Sequence, residues 1–181
     1  MTSVLAIDGS PRGGGRTRLV LDAVLAGARE LSATTDVVEL SGQDESVARA
    51  IAAASRFDAF VLGAPAYRAA PASPIKVFLD GLPRGFWGET EAPITGRAVA
   101  IVMTGASDHH YLALDGLRSA LAGFFAAQVL SPGVYVSSAG FQDGRLGEEG
   151  AAFAAAQGRA LVALSEAIAG SEHLRVVKPQ L

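Results

Sequence analysis

One run of eight residues, Asp8-Gly9-Ser10-Pro11-Arg12-Gly13-Gly14-Gly15, constrains this chain more than any other. Regular structure is excluded there, because glycine loses the most backbone entropy on ordering and proline brings no N–H. The apolar run Val4 to Ile7 before it reads as a buried strand. After it the pattern turns helical, with Val20, Val24, Ala28 and Leu31 on one face and Arg18, Asp22 and Arg29 elsewhere. Strand, glycine loop and helix in that order open an α/β sheet.

The rest of the chain continues the alternation. Strands are expected at Asp36 to Leu40, Ala59 to Leu62, Ala98 to Met103 and Val134 to Val136, and helices at Val47 to Phe57, Ser73 to Leu82 and Glu148 to Ile168. His109 to Phe125 is amphipathic. Ser73 is expected to cap its helix, with Pro74 at the first position. Pro83 to Pro93 reads as a loop holding the only tryptophan. This pattern predicts a three-layer α/β sandwich with a parallel five-stranded sheet in the order 2-1-3-4-5, the flavodoxin-like arrangement. A single domain is expected over residues 1–171, with 172–181 as a C-terminal tail.

Composition narrows the function. At 181 residues and 50% hydrophobic, the chain can bury a real core. Its 15 basic and 18 acidic residues give net charge −3, which argues against nucleic-acid binding and is mild for an acidic electron carrier. The absence of cysteine excludes disulfides, thiolate chemistry and cysteine-held clusters, so any redox chemistry needs an organic cofactor. No apolar stretch is long enough to span a membrane and the N-terminus has no signal pattern, so a cytoplasmic protein is expected.

In a sheet of this order ligands bind beyond the carboxyl ends of the strands, so the loops after Ile7, Leu62 and Met103 carry the site. In the first, Ser10, Arg12, Gly15, Arg16 and Thr17 surround a bend that enters a helix N-terminus, where free amides and charge-assisted donors suit a phosphate. In the second, Pro65, Ala66, Tyr67 and Arg68 offer an aromatic edge and a cation to a flat heterocycle. The third, Thr104-Gly105-Ala106-Ser107 with His110 behind it, adds an amide-rich turn. One loop for phosphate and two for a planar ring suit FMN.

Other chemistries fit less well. No Gly-Lys-Ser/Thr and no GxGxxG fingerprint is present, which disfavours ATP and Rossmann-type NAD sites. No G-x-S-x-G elbow marks a serine hydrolase. His109 and His110 are adjacent and face different ways on a helix, so no metal site is expected. Asp80 with Lys76 is an ordinary i, i+4 pair, and no side chain is expected to act as catalytic acid or base.

Gly9-Ser10-Pro11-Arg12-x-x-Gly15-x-Thr17, followed by Ala64-Pro65-Ala66-Tyr67 and Ile75-Lys76-x-Phe78-Leu79-Asp80, resembles the NADPH-dependent FMN reductase family. Tyr67-Arg68-Ala69-Ala70, Leu82-Pro83 and Thr104-Gly105-Ala106 with His110-Tyr111-Leu112-Ala113 are most similar to the reductases that serve alkanesulfonate-type monooxygenases. The likeness runs from Val4 to about Val136. It implies FMN in the three loops, NADPH or NADH as co-substrate, and a homodimer or homotetramer. It also implies phosphate held by Ser10, Arg12, Gly15 and Thr17, and ring and ribityl bordered by the second and third loops.

Three positions depart from the family pattern. Gly105-Ala106 stands where Gly-Gly is common, Arg16 stands where asparagine is common, and Asp115-Gly116-Leu117 lacks an extra aromatic found in the sulfonate-type reductases. The last favours FMN kept as a prosthetic group over flavin released to a partner monooxygenase. The expected function is transfer of a hydride from NAD(P)H to FMN and on to free flavin, a quinone or another small acceptor. The alternatives are a flavodoxin-like electron carrier and a flavin-binding or flavin-free protein that keeps only the fold.

Overall fold

The computed structural model describes residues 1–40 and 44–179. In chain order its elements are β1 (Ser3–Asp8), α1 (Arg16–Glu30), β2 (Thr34–Glu39), α2 (Asp44–Ala54), β3 (Ala59–Tyr67), β4 (Ala70–Pro71), α3 (Ser73–Gly81) and β5 (Ala98–Gly105). They continue with α4 (Ala113–Ser119), β6 (Gln128–Val129), β7 (Val134–Ser137), β8 (Phe141–Gln142), β9 (Arg145–Leu146) and α5 (Glu148–Gly170). The parallel sheet runs β2-β1-β3-β5, and its last place is shared by β6 and β7, both paired to β5. Counting that pair as one interrupted strand, and setting aside the two-residue β4 that pairs only with β3, gives the expected order 2-1-3-4-5. The interruption falls at Ser131-Pro132-Gly133, where proline has no N–H for a ladder and Gly133 has φ +86°.

Strand side chains alternate, and both faces of this sheet are covered. Leu5, Ile7, Phe60, Leu62, Ile101 and Met103 form one core with α2, α3 and α4. Val4, Ala6, Val61, Ala100 and Val102 form the other with α1 and α5. The second layer is very close. A Cβ on Gly27 of α1 would lie 1.9 Å from the Ala155 carbonyl oxygen of α5, and one on Gly158 of α5 would lie 1.9 Å from the Val24 oxygen of α1. Each helix thus presents a glycine to the other's backbone.

Several elements differ from expectation, each for a local reason. β3 continues through Pro65 to Tyr67, with Pro65 still in register with Thr104 of β5. The second loop is therefore mostly strand, folded back on β4 by a two-residue turn in which Arg68 (φ +51°) and Ala69 (φ +61°) are both left-handed. Ser73 does not cap α3. Ala72 occupies the cap and Ser73 is the first helical residue, with no side-chain cap bond.

The segment from His109 to Phe125 is broken into a single turn at Asp108–His110, α4, and a wider π turn over Ala120–Phe124. Leu31 falls at the C-cap of α1 and is exposed, beyond the buried stripe it was assigned to. The tail is not loose throughout: a turn at Leu174–Val176 lays the carbonyls of Arg175 and Val177 against Gly96. No described helix is long and apolar enough to cross a membrane.

Candidate functional site

The carboxyl ends of β1, β3 and β5 open on a cleft of about 420 Å³, within the range of ~300–1,000 Å³ usual for small-molecule sites. From the residues expected at the site, it gathers Ser10, Arg12, Gly15, Arg16, Thr17, Pro65, Ala66, Tyr67, Thr104, Gly105 and Ala106. Arg68, Ser107 and His110 do not line it. Arg68 sits at the exposed tip of the β3–β4 turn, and the Ser107 carbonyl is turned toward Tyr135. Pro11, Gly13 and Ser138 line it in addition. A larger hollow of about 700 Å³ lies at the other end of the sheet, lined by Thr2, Asp58 and Ala98 among others. It lies at the amino ends of the strands, away from the switch-point loops.

The first loop is built to leave donors free. Consecutive glycines Gly13 (φ +61°) and Gly14 (φ +59°) turn it left-handed, a conformation that penalises other residues. The first peptide N–H taken up by α1 is that of Leu19, on the Gly15 carbonyl at 3.3 Å, so those of Arg16, Thr17 and Arg18 have no backbone partner among the described residues. Ser10 Oγ is buried without a hydrogen-bond partner among the described residues. Arg12 is exposed and makes no ion pair among the described residues, whereas Arg16 is engaged. Its Nη1 donates to Ser138 Oγ at 2.6 Å and its guanidinium lies 5.2 Å from the Phe141 ring centroid. These donors fit a phosphate.

The side of the cleft formed by β3 and β5 is assembled by hydroxyls. Thr17 Oγ1 and Thr104 Oγ1 are 2.8 Å apart and both residues are buried, which ties α1 to the end of β5. Tyr135 Oη donates to the Ser107 carbonyl at 2.6 Å and pins the third loop from beneath. Burial pushes the Tyr135 phenol above its usual range, and Asp108 adds to that. A Cβ on Gly105 would lie 1.9 Å from Tyr135 Oη, so any larger residue at 105 has to displace the tyrosine. Ala106, where the family commonly has a second glycine, is exposed and does not share this crowding. Tyr67 stands about half exposed at the rim. The cleft has no carboxylate among its lining residues.

Sequence reasoning missed Tyr135, inside the short strand β7, Ser138, which directly follows that strand, and Asp8, buried at the end of β1. Asp8 was legible only as the residue before the loop.

Among curated proteins, no sequence matches this chain. Solved structures with the same fold include an NADH:FMN oxidoreductase (EMOB) in its apo form, 21% identical with TM-score 0.77, covering 97% of this chain and 94% of that one. The flavoenzyme NAD(P)H:(acceptor) oxidoreductase FerB from Paracoccus denitrificans is 20% identical with TM-score 0.70, covering 92% and 98%. A WrbA-like flavodoxin from Agrobacterium tumefaciens is 19% identical with TM-score 0.69, covering 92% and 99%. These likenesses show the flavodoxin-like fold. The family model described as NADPH-dependent FMN reductase matches residues 2–142, and on that match the chain belongs to the NADPH-dependent FMN reductase family.

Proposed function

We propose that this protein binds FMN in the cleft at the ends of β1, β3 and β5 and works as an NAD(P)H-dependent oxidoreductase on free flavin, a quinone or another small acceptor. The observation that carries this is the convergence of the first loop's unpartnered donors with Tyr67, Thr104 and Gly105 on one cleft. The chemistry supplied by bound FMN is uptake of a hydride from a reduced nicotinamide and delivery of electrons to an acceptor.

The chain's own part is placement. Arg12, Ser10 Oγ and the free N–H groups of the α1 N-terminus hold the phosphate. Arg16 is braced by Ser138 and Phe141 and contributes a cation already in place. The Thr17–Thr104 bond fixes the separation of phosphate and ring subsites, and Tyr135 holds the third loop at a ring edge. Tyr67 and Ala66 border the ring and ribityl and shield them from water. No carboxylate is among the described residues that line the cleft, so no side chain is assigned the role of acid, and His110 behind the third loop is assigned to packing.

The protein is further proposed to work in the cytoplasm as a homodimer or homotetramer. Of the apolar segments flanking the second loop that the sequence offers for such contact, Phe78-Leu79, Leu82 and Phe86-Trp87, the first two are buried in the chain's own core, whereas Trp87 is exposed. Val77, Tyr111, Leu112 and Phe124 add further exposed apolar surface. FMN is read as a resident group, with delivery to a partner monooxygenase the lesser reading.

The test is titration of the protein with FMN, FAD and riboflavin, followed by anaerobic addition of NADPH or NADH. Tighter binding of FMN than riboflavin and bleaching by a nicotinamide are expected. Failure to bind flavin overturns the reading. Bound FMN that neither nicotinamide bleaches points to the electron carrier instead.

A further inference from the structure

The carboxyl of Asp8 takes no part in the binding scheme above, yet it lies directly beneath it. Asp8 ends β1 and is completely buried. Its Oδ1 accepts the Ser10 N–H at 2.9 Å, while its Oδ2 has no hydrogen-bond partner among the described residues. Ser10 Oγ, also buried, has none either. A buried polar atom left unpaired costs about 1–3 kcal/mol, and more if charged, so two of them on residues already bonded to each other require an explanation.

An ionised Asp8 would set a buried negative charge under a loop whose free N–H groups face an anion. Protonation of Asp8 removes that buried charge and turns Oδ2 from an acceptor without a donor into a donor, with the hydroxyl of Ser10, whose N–H already bonds the same carboxyl, as a candidate acceptor in the loop that lines the cleft. The surroundings favour the proton. Burial pushes the Asp8 carboxyl above the usual carboxylate range, and the hydrogen bond from the Ser10 N–H takes back only part of that rise.

The charged neighbours do not reverse it. From β2, Glu39 is in register with Asp8, pushes in the same upward direction, and lies where a Cβ on Gly13 would meet its Oε2 at 2.7 Å. From α1, Arg18 pulls weakly the other way, being committed to Glu39 through Nη1 at 2.7 Å and to Asp22 through Nε at 2.8 Å. β3 places Gly63 beside Asp8 and brings no charge.

We propose that Asp8 is a proton-linked positioning residue: the site captures FMN with Asp8 protonated, so that binding the phosphate takes up one proton from solvent at Asp8 Oδ2. This rests on the first loop being the FMN phosphate site. The step forms one O–H bond and changes no oxidation state. FMN affinity then falls as pH rises from the pKa of Asp8 in the free protein to its higher value in the complex, by at most about tenfold per pH unit. The phosphate's own second ionisation, near a pKa of about 6, acts in the opposite direction and tightens binding as pH rises.

Asp8→Asn separates the two. The amide keeps an oxygen for the Ser10 N–H, supplies the donor that a protonated carboxyl would, and cannot titrate. FMN and riboflavin dissociation constants are measured for wild type and Asp8→Asn from pH 5 to 9, and proton uptake on FMN binding is measured by calorimetry in two buffers of different ionisation enthalpy. The expected result is a wild-type to Asp8→Asn ratio of FMN constants that rises with pH, a flat ratio for riboflavin, and proton uptake that the variant lacks. An FMN ratio independent of pH, or equal proton uptake in both proteins, overturns the role of Asp8 while leaving the phosphate site standing. Equal affinity of wild type for FMN and riboflavin at every pH overturns both. Should Asp8→Asn fail to fold, the calorimetry on wild type decides alone: no proton taken up beyond that accounted for by the phosphate refutes the proposal.

Discussion

Thr17 and Thr104, on α1 and at the end of β5, share a hydroxyl–hydroxyl hydrogen bond of 2.8 Å inside the protein. The first and third loops are therefore one unit, and a cofactor spanning them meets a distance set before it arrives. Preorganisation of this kind lowers the ordering cost of binding.

Arg12 is the cleft cation with no ion pair or hydrogen-bond partner among the described residues, so its contribution should appear in FMN affinity. Arg12→Ala is expected to weaken FMN by about 1.5–3 kcal/mol, roughly tenfold to 150-fold, and to leave riboflavin unchanged. Fluorescence titration of both flavins checks this, and an unaltered FMN constant with a normal melting temperature shows that Arg12 points elsewhere.

Gly105 and Tyr135 should behave as a coupled pair. Gly105→Ala drives a methyl into Tyr135 Oη and is expected to break the Tyr135–Ser107 bond, loosening the third loop and weakening FMN. Tyr135→Phe alone loses one hydrogen bond, about 0.5–1.5 kcal/mol of stability. In the double variant the hydroxyl is gone, though the ring carbon that bore it still lies 2.9 Å from the new methyl, so partial rescue is expected. Strictly additive losses in a double-mutant cycle contradict the coupling.

The α1–α5 contact predicts an inversion of helix propensity. Gly158→Ala inside an exposed helix would gain about 1 kcal/mol. Here the added methyl meets the Val24 carbonyl oxygen, and overpacking costs of ~1–3 kcal/mol or more decide the sign. A lower chemical-denaturation midpoint is expected, with FMN affinity of the folded protein preserved. A stabilised variant shows that the helices can separate freely.

His110 sits outside the cleft lining, so His110→Ala should change the rate of reduction by NAD(P)H only slightly and keep its pH profile. A positioned general acid would give a loss of about 10²-fold to 10⁴-fold. Stopped-flow reduction at several pH values distinguishes the two.

The parts of this fold that were legible are those where residue chemistry forbids alternatives. Glycine density at 9–15 marks the first loop, and continuous apolar runs at Val4–Ile7 and Ala98–Met103 mark strands covered on both faces. Pro65 misleads, because proline ordinarily ends a central strand, but here the strand continues and its missing N–H sits at the carboxyl end, where the sheet gives way to the cleft. Ser73 misleads by one residue, since Ser-Pro suits a cap and first position equally well as the first two helical positions. Ser138 and Tyr135 were invisible because their roles arise from β7 lying beside β5, a relation between distant segments that no local pattern encodes.

The broken last strand has a consequence for how the molecule meets others. A continuous outer strand carries a row of unpaired N–H and C=O groups that can recruit a strand from a neighbouring molecule. On this side the border consists of two residues of β6 and four of β7, with Pro132 and Gly133 between them. So short and interrupted a template cannot zip onto a second sheet, which closes this border to edge-to-edge pairing and leaves the opposite border, the six residues of β2, as the sheet's continuous edge.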